Sequence, residues 1–168
     1  MSNQNNWYKR QEAQRSIRRV LIVCEGEKTE CYYFGAFQTS GELIRMEILG
    51  AGRNKDSLVE YTIELKKKAE IGEPYSSIWC VFDRDSYPCD SNDKHKFNRA
   101  IKLAKNNQIK VAYSNDAFEI WYILHFNFHQ AAWGRSKYES KLTELLGSKY
   151  EKNDKTIYVK LRDRQAAA

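Results

Sequence analysis

Two unbroken apolar runs in this chain end in the same way. RVLIVCE (19–25) is a continuous aliphatic stretch bounded by Gly26, and SSIWCVFD (76–83) repeats the pattern. Neither alternates, which predicts strands covered on both faces of a parallel sheet. IRMEILG (44–50) does alternate and reads as a further strand, and IKVAYSN (109–115) as a fourth that ends in turn residues. Between the strands the apolar period lengthens. From Thr29, TECYYFGAFQ places Tyr33, Phe34 and Phe37 at helical spacing, with Thr29 as its cap. NKDSLVEYTIELKKKAEIG (54–72) aligns Leu58, Tyr61, Leu65 and Ala69, with Asp56 or Ser57 near its start. DKHKFNRAIKLAKNN (93–107) aligns Phe97, Ala100, Ile101 and Ala104. AFEIWYILHF (117–126) reads as a half-buried helix, with a strand as the alternative, and SKYESKLTELLG (136–147) as a last helix.

The order β-α-β-α-β-α-β predicts an α/β domain, with about four parallel strands, right-handed crossovers and helices on both faces. Residues 1–17 lack periodicity and read as a flexible basic arm. Residues 156–168 read as a weakly patterned basic tail, so the folded domain is expected over 18–155.

Composition narrows this without changing it. A chain of 168 residues, 42% hydrophobic, suits one compact domain. No apolar run approaches the roughly 18 residues of a membrane span, and the N-terminus lacks the apolar core of a signal peptide, so no membrane partner is expected and the location is expected to be cytoplasmic. Cys24, Cys31, Cys80 and Cys89 form no C-x-x-C pair and read as reduced thiols. A zinc site from Cys89, His95, His125 and His129 matches no standard ligand spacing. A net charge of +6 and a pI near 9.1 favour polyanionic partners, nucleic acid among them.

In open α/β sheets ligands bind beyond the carboxyl ends of the strands, where the strand order reverses. If the first and third strands are neighbours, Glu25 comes within reach of Asp83 and Asp85. Three hard oxygen ligands suit Mg²⁺ or Mn²⁺, which keeps crowded carboxylates ionised. Arg84, between the two aspartates, turns away from such an ion. Taken singly, these acids also read as turn residues or helix caps. Glu27 and Glu30 are read as favouring the positive end of the following helix, and Lys28 either as a phosphate contact or as a surface lysine.

VLIVCEGEKTECYYF, CVFDRD, SNDAFEIWYILHF and KYEKN (149–153), in this order and spacing, resemble the RloB-like family of bacterial phage-defence and restriction-associated proteins. That family is related to the Toprim domains of topoisomerases, primases and overcoming-lysogenization-defect nucleases. The resemblance covers roughly 18–155 and implies a Toprim-like, Rossmann-like sheet. Mg²⁺ would be held by Glu25, Asp83 and Asp85, with Glu25 also placed to move protons. The family's later blocks imply that Glu119 assists, completing a second metal position, and that Lys152 neutralises charge on a scissile phosphate. Lys28, Arg84 and His125 are the expected substrate-binding residues. Beside these stand plainer readings: Glu119 as a helix cap, His125 as a satisfied core histidine, Lys152 as a solvated lysine. Departures are Cys31, where proline is common, and Asp116–Ala117, where Pro-Cys is usual. Relatives continue with further helix after the KYEKN block, which implies an incomplete C-terminus here.

The expected function is a Mg²⁺-dependent nuclease acting on DNA or RNA in anti-phage defence. The alternatives are a partner-activated effector that binds nucleic acid, nucleotide or a partner ATPase, and a small-molecule phosphoesterase.

Overall fold

The computed structural model describes residues 17–36, 44–84, 91–129, 131 and 133–167. The expected N-terminal arm, apart from Ile17, lies outside them, as do Asp85 and Cys89. Four strands, β1 (Arg18–Cys24), β2 (Ile44–Gly50), β3 (Ser77–Asp83) and β4 (Lys110–Ser114), form one sheet in the order β2-β1-β3-β4, parallel throughout. Around it lie helices α1 (Thr29–Gly35), α2 (Lys55–Glu70), α3 (Ser91–Asn106), α4 (Glu119–Leu124), α5 (Arg135–Leu146) and α6 (Ile157–Leu161), and a 3-10 turn over Arg162–Ala167. This is an α/β, Rossmann-like architecture.

The unbroken apolar runs are the two central strands, which have a core on each side. Leu21 and Val23 of β1 join Ile78, Cys80 and Phe82 of β3 in a cluster closed by Leu58 and Val59 of α2 and Ala100 and Ala104 of α3. Ile22 and Cys24 point the other way, with Val81, into a cluster closed by α1, α4, α5 and α6. Fully burying a Leu or Phe side chain contributes roughly 1.5–3 kcal/mol, so both faces of β1 are strongly specified and a register slip would exchange the two cores. The alternating runs are the edge strands, where one flank meets solvent.

Several boundaries differ from the sequence pattern. β1 ends at Cys24, although the Glu25 N–H still donates to the Val81 carbonyl at 2.8 Å. α2 starts earlier than Asp56, because Asn54 caps it by accepting the Ser57 N–H at 3.2 Å. The 117–126 stretch is a helix of six residues, not a strand. The supposed tail is folded: Ile157, Tyr158 and Leu161 are buried and α6 packs on α1. Three buried apolar residues spaced i, i+1, i+4 among five charged neighbours from Lys155 to Arg164 are enough to dock one helical turn, and too few to register as a periodic pattern.

Candidate active site at the carboxyl ends of β1 and β3

β1 leads through α1 to β2, and its neighbour β3 leads through α3 to β4 in the opposite direction. The chain therefore parts between the carboxyl ends of β1 and β3. A cleft of about 430 Å³ opens there.

Glu25 and Asp83 meet at its floor. The Asp83 N–H donates to Glu25 Oε2 at 3.1 Å, and Glu25 Oε1 lies 3.6 Å from Nζ of Lys55, the first residue of α2. Asp83 Oδ2 lies 3.5 Å from Arg135 Nη2, the first residue of α5. Each acid is thus held by a backbone or strand-end position and faced by a cation from a helix start.

Two further carboxylates lie deeper. Glu30 and Glu119 are each 6% exposed. Burial holds the Glu30 carboxyl above its usual range. Its own amide and that of Gly26 pull it back, while Glu119 and Glu25 push it further up. A Cβ on Gly26 would sit 2.6 Å from Glu30 Oε2, so the glycine lets this carboxylate fold back against the loop. Glu119 Oε1 accepts the Tyr150 hydroxyl at 3.2 Å, and burial, then Glu119, raise the Tyr150 phenol. Tyr122 donates to the Thr29 carbonyl at 3.3 Å, and Thr29 Oγ1 donates to Asn153 Oδ1 at 3.0 Å. These bonds lace α4 and the 150–153 loop to the start of α1, and so bring Lys152 to the cleft rim.

The cleft gathers Glu25, Lys28, Asp83, Glu119 and Lys152 of the residues expected from sequence. Arg84 is not among its lining residues: its guanidinium lies 5.7 Å over the Phe97 ring of α3, against the opposite face of the sheet. Nor does His125 reach the cleft. It is 1% exposed, its Nδ1 donates to the Trp121 carbonyl at 2.8 Å, and its Nε2 is 3.1 Å from the Tyr33 hydroxyl. The aromatic spacing around His125 built a core histidine instead. Sequence reasoning missed Arg135, which no motif marks and only the docking of α5 delivers. It also assigned Glu30 to the helix start alone. Glu30 does sit in the first turn of α1, but its carboxylate turns into the cleft.

Charge in the cleft opposes charge on the whole. Five carboxylates (Glu25, Glu27, Glu30, Asp83, Glu119) stand against four cations (Lys28, Arg135 and Lys152 in the lining, and Lys55 beside Glu25), an excess of one negative charge on a chain of net +6. An all-oxygen acidic donor set with this excess fits a hard divalent cation by its chemistry. Among the described residues no group of three acidic, histidine or cysteine side chains stands close enough together to hold a metal ion. The third expected ligand, Asp85, lies outside them.

No helix among the described residues is long and apolar enough to cross a membrane. No curated protein matches the sequence. The family model for RloB-like protein matches residues 20–168, which takes in the cleft and every element that lines it. The chain belongs to the RloB-like protein family.

Proposed function

We propose that this chain is a metal-dependent nuclease that cleaves phosphodiester bonds in DNA or RNA, from a Toprim-like site and in the setting of anti-phage defence. The observation that carries the reading is the meeting of Glu25 and Asp83, from two central strands, at the floor of an acidic cleft in an otherwise basic chain. A polyanion approaches such a chain readily, but an excess of carboxylates repels its phosphate unless a cation intervenes. The Toprim relation and the defence role rest on the family resemblance.

Glu25, Asp83 and Asp85 would hold Mg²⁺ or Mn²⁺, which would supply Lewis acidity at the scissile phosphate and make a bound water easier to deprotonate. The chain's own residues orient the reactants. Glu25, fixed by the Asp83 amide, is the group placed to take a proton at the cleft floor. Arg135 and Lys152 line the same cleft and would neutralise the phosphate, Arg135 by leaving Asp83 for the incoming oxygens. Lys28 would meet a flanking phosphate. Glu119, held by Tyr150, keeps the Lys152 loop in register.

The test is cleavage by the purified protein of single- and double-stranded DNA and RNA, tRNA included, with Mg²⁺ or Mn²⁺. Cleavage is expected and is lost in a double Asp83→Ala, Asp85→Ala variant. Full activity in that variant overturns the assignment.

A further inference from the structure

A second hollow, also of about 430 Å³, lies on the α1 side of the sheet and runs out to the edge strand β4. Val81 and Ala112, partners across β3 and β4, form its floor, and Phe34 of α1 and Trp121 of α4 stand over it. Trp79 lies two residues further back along β3. Phe118 borders this hollow and the acidic cleft alike, so one ring separates the two. That ring is 5% exposed and is held edge-on by Phe34 at 5.7 Å and Tyr122 at 5.5 Å.

Strand parity joins the two spaces a second time. Trp79, Val81 and Asp83 alternate onto one face of β3, and Ser114, which lines the hollow, is the β4 partner of Asp83, which lines the cleft. The hollow therefore starts where the cleft floor ends. At the rise of an extended strand, Val81 lies roughly 6.6 Å behind Asp83 and Trp79 roughly 13 Å.

The lining selects the kind of ligand. Of the nine described residues around the hollow five are aromatic, in a chain that is 13% aromatic, so the space offers π-faces and favours a flat ring over an aliphatic chain. Phe34, Trp79 and Trp121 are each only half-buried, which leaves ring surface open to the space. A cation stands at the far end: Lys110, the first residue of β4, holds Nζ 5.0 Å over the Trp79 ring. Aromatic faces between an anion-binding cleft and a lysine match a base flanked by backbone phosphates.

We propose that this hollow takes an unpaired nucleobase of the strand whose phosphate lies in the cleft, so that the substrate is single-stranded nucleic acid or a nucleotide extruded from a duplex. A base inside a duplex has both faces covered by its neighbours and cannot lie among these rings without leaving the stack. Every base has a π-face, so the hollow reads the unpaired state and not the letter. The inference rests on the cleft being a phosphodiester site, and adds which strands can reach it.

The experiment measures binding of fluorescent oligothymidylate and oligouridylate to the full chain by anisotropy, with Ca²⁺ in place of Mg²⁺. Each strand is compared with its duplex and with an abasic strand of the same length. The base-bearing single strand is expected to bind about 10-fold tighter than either, the size of one base–aromatic contact. Trp79→Leu keeps an apolar side chain and removes the ring. It should weaken the base-bearing strand about 10-fold and leave the abasic strand unchanged, and Trp79→Phe should recover most of the loss. In the wild type, 5-iodouracil placed in the strand should photocross-link to Trp79, Phe34 or Trp121. Equal affinity for base-bearing and abasic strands, no binding of the base-bearing strand, or cross-links wholly outside the hollow overturns the proposal. So does a dimer that Trp79→Leu dissolves without changing oligonucleotide affinity, because a second copy would then be the occupant. Base-dependent binding by a protein that cleaves nothing with Mg²⁺ or Mn²⁺ counts against the nuclease reading and supports the base site. Cleavage of single strand and duplex at equal rates, unchanged in Trp79→Leu, overturns the base site and leaves the nuclease reading standing.

Discussion

The backbone N–H of Asp83 donates to the side chain of Glu25 at 3.1 Å, although 57 residues of chain lie between them. The bond couples the ends of the two central strands and aims one carboxylate at the other. Glutamine keeps an oxygen that accepts this amide but removes the charge. Glu25→Gln is therefore expected to fold normally and to lose the response to metal. At an ion concentration near 100 times its Kd, a bound ion stabilises by about 2.7 kcal/mol, which raises Tm by roughly 5–10 °C for a domain of this size. Thermal melts with and without Mn²⁺ read this directly. An equal shift in Glu25→Gln would remove Glu25 from the ligand set.

At Gly50, the last residue of the edge strand β2, the Glu25 loop packs close against the sheet. A Cβ at this position meets Glu27 Cα at 2.6 Å and the Gly26 carbonyl at 2.9 Å, both backbone atoms that cannot rotate aside. Gly50→Ala should cost about 1–3 kcal/mol in urea denaturation, and should depress cleavage by more than that stability loss accounts for. A wild-type unfolding midpoint would show that the loop has slack this geometry does not have.

Tyr150→Phe removes one oxygen and leaves Glu119 Oε1 buried without its phenolic donor. The expected cost is about 1–3 kcal/mol. Because the same phenol joins α4 to the loop bearing Lys152, KM for a nucleic acid should rise alongside. Stability loss with unchanged KM would make Tyr150 a packing residue only.

The sheet was legible because its central strands are oily on both faces and its edges alternate, a contrast that burial alone imposes. Glu25 and Asp83 were legible because each is the first acid after such a run. What escaped was set by tertiary docking. Arg135 reaches the cleft only through the seat of α5, and Glu30 only because Gly26 lets its side chain fold back. His125 and Trp121 carry helical spacing whether they line a cleft or a core, and here they pack around Tyr33. Arg84 was displaced by the simple parity of a strand end: its neighbour Asp83 faces the cleft, so it cannot.

The docked C-terminal helix depends on Asp154, and its pH dependence has a definite sign. Asp154 Oδ1 accepts the Thr156 N–H and hydroxyl, each at 2.7 Å, and Oδ2 lies 2.8 Å from Lys160 Nζ. Burial pushes this carboxyl up, but Lys160 and Thr156 together outweigh it and hold it below its ordinary 3.8. A depressed folded-state value means that the unfolded chain binds the proton more readily. The stabilisation is therefore fully present above pH 3.8 and drains away as pH falls below it. Asp154→Asn should cost about 1 kcal/mol at neutral pH, the partial exposure of the pair keeping the figure small. The stability curves of wild type and variant should converge under acid, as followed by denaturation at pH 7, 5 and 3. The readout should also include protection of the Tyr158 and Leu161 amides from hydrogen exchange, since α6 is the element that loosens. A gap that stays constant down to pH 3 would mean that the Asn side chain fails for its shape and not for its missing charge.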